Sequence, residues 1–185
     1  DTAKIVSPFG ARGGNTGVAD ADNLAWKLAA VLRGQAGPRL LDSYDDERCE
    51  AAQQNVQVTH RTARFLRAAD GMERVFRNAA ISLAKQHTFA RALINTGRMA
   101  VANTYTRSGI CEGTGGQSVQ NVGFRWADGS AGTVNDLLNW AGSDLVVLVF
   151  GDLPSPCIKR LRQIAATAPV RCVQVLGQSD RKSVV

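Results

Sequence analysis

The chain has 185 residues, 44% hydrophobic and 21% charged, with a formal net charge of +6. These proportions belong to a soluble globular protein of one ordinary domain or two small ones and exclude a disordered tail. There is no run of about 18 apolar residues to span a membrane, Asp1–Val6 lacks the apolar core of a secretory signal, and the basic residues are interspersed with acids rather than gathered on a nucleic-acid-binding face.

"SPFGARGGNTG", residues 7–17, is a glycine-rich loop carrying Arg12. A helical pattern follows it directly. Val18, Ala21, Leu24, Ala25, Leu28 and Leu32 recur every three or four residues, with Asp20, Asn23 and Lys27 off that stripe. The spacing predicts an amphipathic helix over about Thr16–Arg33, with Asn15 or Thr16 as N-cap and Gly34 just past its end. Trp26 reads as a packing residue. "GQAGP", 34–38, is a turn, and a second helix is expected from about Leu41 to Ala68. Its first turns hold Asp42, Asp45, Asp46 and Glu47 and its last turns arginines, as the helix dipole favours. Its apolar stripe is Leu41, Tyr44, Ala52, Val56, Ala63 and Leu66. Arg61, Arg64 and Arg67, three residues apart, form one helical stripe, read as a solvated face with an anion-binding surface as the alternative.

Asp70–Gly71 breaks the pattern, and residues 72–87 and 88–103 read as one or two further helices. "SGICEGTGGQSVQN", 108–121, is expected to be an interdomain linker. Beyond it come a short strand, a turn at Asp128–Gly129 and a helix from about Thr133. The apolar run 144–151 reads as a strand buried on both faces. The stretch 155–168 is helical and 170–177 a second strand, which together predict a right-handed βαβ crossover on a parallel sheet. Cys49, Cys111, Cys157 and Cys172 lie far apart without a CxxC pair, so no metal site or disulfide framework is expected and reduced thiols in the cytoplasm are. His60 and His87 fall on helices and are not read as catalytic.

The glycine-to-helix junction has two readings. It is a tight loop capping a buried helix, or an anion site: first-turn N–H groups point outward with about half a positive charge, and glycines let a ligand approach the backbone. Neither the GxGxxG nor the GxxxxGK[ST] spacing is present.

The longer string "DTAKIVSPFGARGGNTGVADADNLAWKLAAVLRG", followed by "LLDSYDDER", resembles the second FAD-binding motif of the para-hydroxybenzoate hydroxylase family, the single-component flavoprotein aromatic monooxygenases. The resemblance implies that Asp1 accepts a hydrogen bond from a ribityl hydroxyl of FAD. It places Pro8 and Phe9 beside the flavin ring and Arg12 near it. The backbone N–H groups of Gly14 and Asn15 would meet the N1/C2=O edge, where reduced flavin carries negative charge, and Gly13 and Thr16 beside them are also expected to bind the cofactor. Lys4 departs from the histidine found in many relatives. Residues 117–177 look like the beginning of the thioredoxin-like domain of the larger members, with "PSPC", 154–157, keeping only the second cysteine of a CxxC; a structural or dimer-forming role is implied there.

The expected architecture is α/β: a helical segment of an FAD-binding domain (1–107), a linker (108–121) and a partial thioredoxin-like βαβ domain (122–185). The expected function is a share in hydroxylating a phenolic or other aromatic substrate with FAD, NAD(P)H and O₂. The start at Asp1 inside the motif leads us to expect a fragment, inactive alone, with neither a catalytic residue nor a metal site. Neither nucleic acid nor membrane is an expected partner; a homodimer through the C-terminal domain is. The alternative is a non-enzymatic dimerisation module with a redox-inactive thioredoxin-like domain.

Overall fold

The computed structural model describes residues 4–94 and 101–176. The chain divides into two compact units, Asp1–Ser118 and Val119–Val185. In the first, a 3₁₀ turn (Phe9–Ala11) runs into α1 (Arg12–Leu32), and a second 3₁₀ turn (Pro38–Leu41) runs into α2 (Asp42–Leu66). Helices α3 (Met72–Gln86) and α4 (Thr88–Ile94) follow. Gly34, at φ +68, ends α1 with its N–H donating to the Val31 carbonyl at 3.0 Å. No described helix is long and apolar enough to cross a membrane.

The second unit opens with a hairpin of β1 (Gly123–Arg125) and β2 (Ala131–Thr133). At its turn the Asp128 carboxylate accepts from the Ser130 N–H at 2.9 Å. Thr133 then caps α5 (Val134–Ala141): its N–H donates to Asp136 at 2.8 Å, and its hydroxyl accepts in return from the Asp136 N–H, a reciprocal capping box. Trp126 stacks edge-on to Phe124 and Trp140, and the Arg171 guanidinium lies 4.6 Å from the Trp140 ring centre while binding Asp144 at 2.8 Å. Strands β3 (Leu145–Phe150) and β4 (Val170–Val175) pair in parallel from Leu145↔Val170 to Phe150↔Val175, joined by α6 (Ser155–Thr167). The expectation that the first of these strands is buried on both faces is corrected. Leu145 and Phe150 are exposed and the strand between them is half-buried, because the described sheet has only these two strands.

In the first unit the amphipathic expectation inverts. The side chains of α1 that are buried are Thr16 and Lys27, whereas Val18 and Leu32 are 70% and 78% exposed. Along α2 the buried line is Ser43, Glu47, Ala51, Asn55 and Thr59, one residue per turn, and Val56 and Leu66 lie exposed. The two polar faces meet. Glu47 accepts from Lys27 at 2.8 Å, from Asn23 at 2.6 Å and from Ser108 at 2.6 Å. One turn further, Asp20 accepts from Arg48 at 2.6 Å and pairs with Lys4, while Arg48 also donates to the Tyr105 hydroxyl at 2.6 Å. Such a core is stable because nearly every buried polar group has a partner.

The segment 101–108 is laced to α2 in the same manner. Glu50 accepts from the N–H groups of Thr106 (2.8 Å) and Arg107 (3.1 Å), and Gln54 donates to the Thr104 carbonyl at 2.6 Å. The stretch expected as a linker from residue 108 therefore begins inside the first unit: Ser108 is buried. Tyr105 donates to the Gly116 carbonyl at 2.8 Å. Gly116 sits at φ +79, where a Cβ would lie 1.9 Å from the Tyr105 carbonyl oxygen, so no other residue fits. Residues 101–103, expected to prolong a helix, are irregular for the same reason: Asn103 turns its side chain to Gln54 and Asn55.

Burial opposes the charge on Glu47, but the hydrogen bonds from Lys27, Ser108 and Asn23 outweigh it and hold the carboxyl below its usual range. Asp20 is lowered against the same burial cost by Lys4 and Arg48, and Glu50 by the Thr106 hydroxyl and nearby backbone N–H groups. Lowered folded-state values mean that stability is whole above the ordinary carboxylate range, about pH 4, and is lost as pH falls through them. Lys27→Met is expected to cost about 3–5 kcal/mol in urea unfolding at pH 7, because it strands a buried carboxylate. Adding Glu47→Leu to Lys27→Met is expected to recover most of that loss and to flatten the acid limb of the stability profile.

Candidate functional site

The amino end of α1 is built from an unusual backbone. Gly10 and Ala11 are both left-handed, at φ 75 and φ 52, and this double kink turns the chain into the helix at Arg12. Helix α1 thus starts four residues before the expected Thr16, and Gly13 and Gly14 form its first turn rather than a preceding loop. The expected capping residues do something else. Asn15 donates from its amide back to the Ala11 carbonyl at 2.8 Å, and the Thr16 hydroxyl donates to the Arg12 carbonyl. Ala11 supplies no side-chain cap, and no acid stands in the first turn. The first-turn N–H groups have no acceptor within the helix, and a Cβ placed on Gly13 or Gly14 would meet nothing within 4 Å.

Beside this turn lies a cleft of about 200 Å³ whose lining includes Gly10, Arg12, Asn15, Thr16, Asn55 and Asn103. The structure thus brings Arg12, Asn15 and Thr16 together and leaves Gly13 and Gly14 on the open turn next to them. Pro8 is exposed and caps the 3₁₀ turn. Asp1 lies outside the described residues. Arg12 does not reach outward: its guanidinium donates to the Asn55 side-chain oxygen and to the Val101 carbonyl at 2.8 Å. It adds positive charge to the cleft while bracing it. Thr16 is buried and offers its hydroxyl to Asn55 and Arg12 rather than to a ligand.

Sequence reasoning missed Asn55 and Asn103. The signal for Asn55 was present as the line of residues at every fourth position of α2, Ser43, Glu47, Ala51, Asn55 and Thr59, which marks a helix face that packs closely against a polar neighbour; Asn103, in the irregular segment after α4, carried no such signal.

These features suit an electron-rich partner. An uncapped helix amino end, amides uncovered by side chains and a nearby guanidinium stabilise negative charge without rearrangement. A larger open groove of about 600 Å³ in the second unit runs beside Phe150, Leu153, Pro156, Cys157 and Leu161. It is mostly apolar and holds one exposed free thiol, so it lacks a comparable donor set. Among the described residues no group of three His, Cys, Asp or Glu is placed to hold a metal.

Residues 1–59 match the FAD binding domain family, whose cofactor is FAD. Over 63 residues the chain is 56% identical to a putative polyketide hydroxylase of Streptomyces coelicolor, covering 34% of this chain and 10% of that protein. Among solved structures, it is similar to the rebeccamycin biosynthetic enzyme RebC with reduced flavin, at 27% identity and a TM-score of 0.62, over 94% of this chain and 35% of that one. A ternary complex of aklavinone-11 hydroxylase with FAD and aklavinone matches at 27% identity and a TM-score of 0.62, over 97% of this chain and 33% of its own. The chain spans about a tenth of the length of the curated relatives it matches and about a third of the solved chains. Its mixed fold, mostly helical with small sheets, is that of a part of a flavin-dependent hydroxylase.

The left-handed pair at the helix entrance gives a direct stability test. Ala11→Gly is expected to stabilise the protein by up to about 1 kcal/mol in denaturant unfolding, by releasing a conformation costly for a residue with a Cβ. Gly10→Ala is expected to lose about as much.

Proposed function

We propose that the chain is part of a flavoprotein monooxygenase that hydroxylates a phenolic or other aromatic substrate with FAD, NAD(P)H and O₂. The observation that carries this reading is the uncapped, glycine-opened first turn of α1 inside the segment that matches the FAD binding domain. Bound FAD would supply the redox chemistry, with NAD(P)H as the reductant and O₂ as the source of the oxygen atom.

The residues of this chain bind and orient. The N–H groups of Gly13 and Gly14 would donate to the electron-rich edge of the flavin, with Asn15 lining the cleft beside them, and the positive end of α1 would favour its reduced, anionic form. Arg12 contributes charge from within the wall of the cleft, and Thr16 holds the turn rather than the cofactor. Pro8 borders the ring, and Asp1 is assigned the ribityl contact. The exposed apolar residues of α1, Val18 and Leu32, are assigned to packing within the same flavin domain. No residue here is assigned as catalytic acid, base or nucleophile. The substrate class follows the relatives, one of them a putative polyketide hydroxylase and another solved with aklavinone bound; the cytoplasm, with the cysteines reduced, is the proposed setting.

For the second unit we propose a thioredoxin-like, structural or dimer-forming role. Its support is the parallel β3–α6–β4 arrangement with Cys157 in the first turn of α6 and no CxxC partner.

Gly14→Ala tests the flavin reading, because it separates stability from binding. Alanine is about 1 kcal/mol better than glycine within a helix and meets nothing at this position, so thermal stability of the flavin-free protein is expected to rise. Affinity for FAD, followed by flavin fluorescence quenching in the intact protein, is expected to fall at least tenfold; unchanged affinity contradicts the assignment. Alkylation of Cys157 in the full-length enzyme is expected to leave hydroxylation of its aromatic substrate unchanged, and a loss of turnover would contradict the structural role.

A further inference from the structure

We propose that Asn55, a residue of α2 outside the flavin-facing turn, is the positioning residue that aims that turn at the cofactor. The inference rests on the flavin reading above and adds a residue to it. Asn55 is 1% exposed, and its side chain is tied to Arg12 directly at the guanidinium and through Thr16 at the backbone carbonyl. Its oxygen accepts from the Arg12 guanidinium and, at 3.1 Å, from Asn103. Its amide group donates to the Thr16 hydroxyl at 2.9 Å, and that hydroxyl donates onward to the Arg12 carbonyl. The ring therefore closes from Asn55 through Thr16 to the backbone of Arg12, and from the Arg12 side chain back to Asn55.

Arg12 is the first residue of α1, so whatever fixes it fixes the direction of the N–H groups of the turn that follows. The preceding residues cannot do this. Gly10 and Ala11 form a left-handed hinge without a side-chain cap, and glycines at 13 and 14 bring no side-chain contact of their own. Bracing comes from across the helix interface, where the Asn55 side chain takes the Arg12 guanidinium directly and reaches the Arg12 carbonyl through the Thr16 hydroxyl. A preorganised donor stabilises charge that develops on its partner without having to reorient. Loss of the brace is thus expected to weaken reduced flavin more than oxidised flavin.

The test uses the intact flavin-loaded protein with three variants, Asn55→Ala, Thr16→Val and Thr16→Ser, checked for helical content by circular dichroism. Asn55→Ala and Thr16→Val are expected to weaken FAD binding about tenfold. Each is expected to weaken reduced flavin about a further tenfold, read as a fall of about 30 mV in the two-electron midpoint potential. Thr16→Ser, which keeps the hydroxyl, is expected to retain both values. Should Asn55→Ala fail to fold, the Thr16→Val and Thr16→Ser pair decides the matter alone. Bound FAD with unmoved affinity and potential in Asn55→Ala or Thr16→Val overturns the positioning role, as does Thr16→Ser behaving like Thr16→Val. Failure of the intact unsubstituted protein, rather than of this chain alone, to hold FAD overturns the flavin reading itself, and the role of Asn55 with it.

Discussion

The buried Lys27–Glu47 pair, at 2.8 Å with side chains 0% and 3% exposed, is the constraint on which the first unit turns. Apolar side chains at a helix interface tolerate a slide of one turn, because dispersion and area burial have little direction. Charged hydrogen bonds do not, because a displaced partner leaves a buried ion unsatisfied at a cost of several kcal/mol. Lys27 with Glu47, Asp20 with Arg48, and Thr16 with Asn55 form three rungs along antiparallel α1 and α2. Only one register satisfies all three. That register sets the amino end of α1 against Asn55, so the ion pair near one end of the interface holds the functional turn near the other.

The same rungs explain why the sequence was legible as helices and misleading about their inward faces. Val18, Leu28 and Leu32 on α1 and Val56 and Leu66 on α2 mark genuine helical stripes, and helices form there. A periodic stripe shows that a helix has two different faces; it does not show which is turned inward when the polar face can satisfy its own groups. Here Asp20, Asn23 and Lys27 have Arg48 and Glu47 opposite them, and no pattern within α1 alone reveals that complement. Glu47 shows the point most directly. In sequence it is one of several acids suited to a helix dipole, and in the fold it is the acceptor of three hydrogen bonds.

The second unit was legible for a different reason. Its elements are specified by short-range chemistry: Asp128–Gly129 at the turn, Thr133 and Asp136 in a capping box, an uninterrupted apolar run in β3 and valines at 170, 173 and 175 in β4. Each acts within a few residues and can be read without knowing what lies across the sheet. Burial of β3 depends on neighbouring strands and helices, which its own sequence does not specify, and Leu145 and Phe150 are correspondingly exposed. Strand β2 escaped notice because Ala131–Thr133 has little strand propensity of its own and is held by the register Gly123↔Thr133 to Arg125↔Ala131.

At the site, the glycine-rich stretch was recognisable as a junction between an open backbone and a helix, while its boundary was misplaced by four residues. A segment with glycine at positions 13, 14 and 17 is a poor helix, each glycine costing about 1 kcal/mol against alanine. The helix nevertheless begins at Arg12 because the interface with α2 supplies what local propensity withholds: Asn55 and the Val101 carbonyl take the Arg12 guanidinium, and Thr16 is anchored beneath it. Strain and weak propensity concentrated at one turn, offset by a polar lattice on the far side of the same helix, form a device for keeping amides bare and still. Alanines at 13 and 14 would have made a better helix and a worse donor surface. The glycines leave the turn's amides uncovered, and the buried Asn55 holds the start of that turn from across the interface.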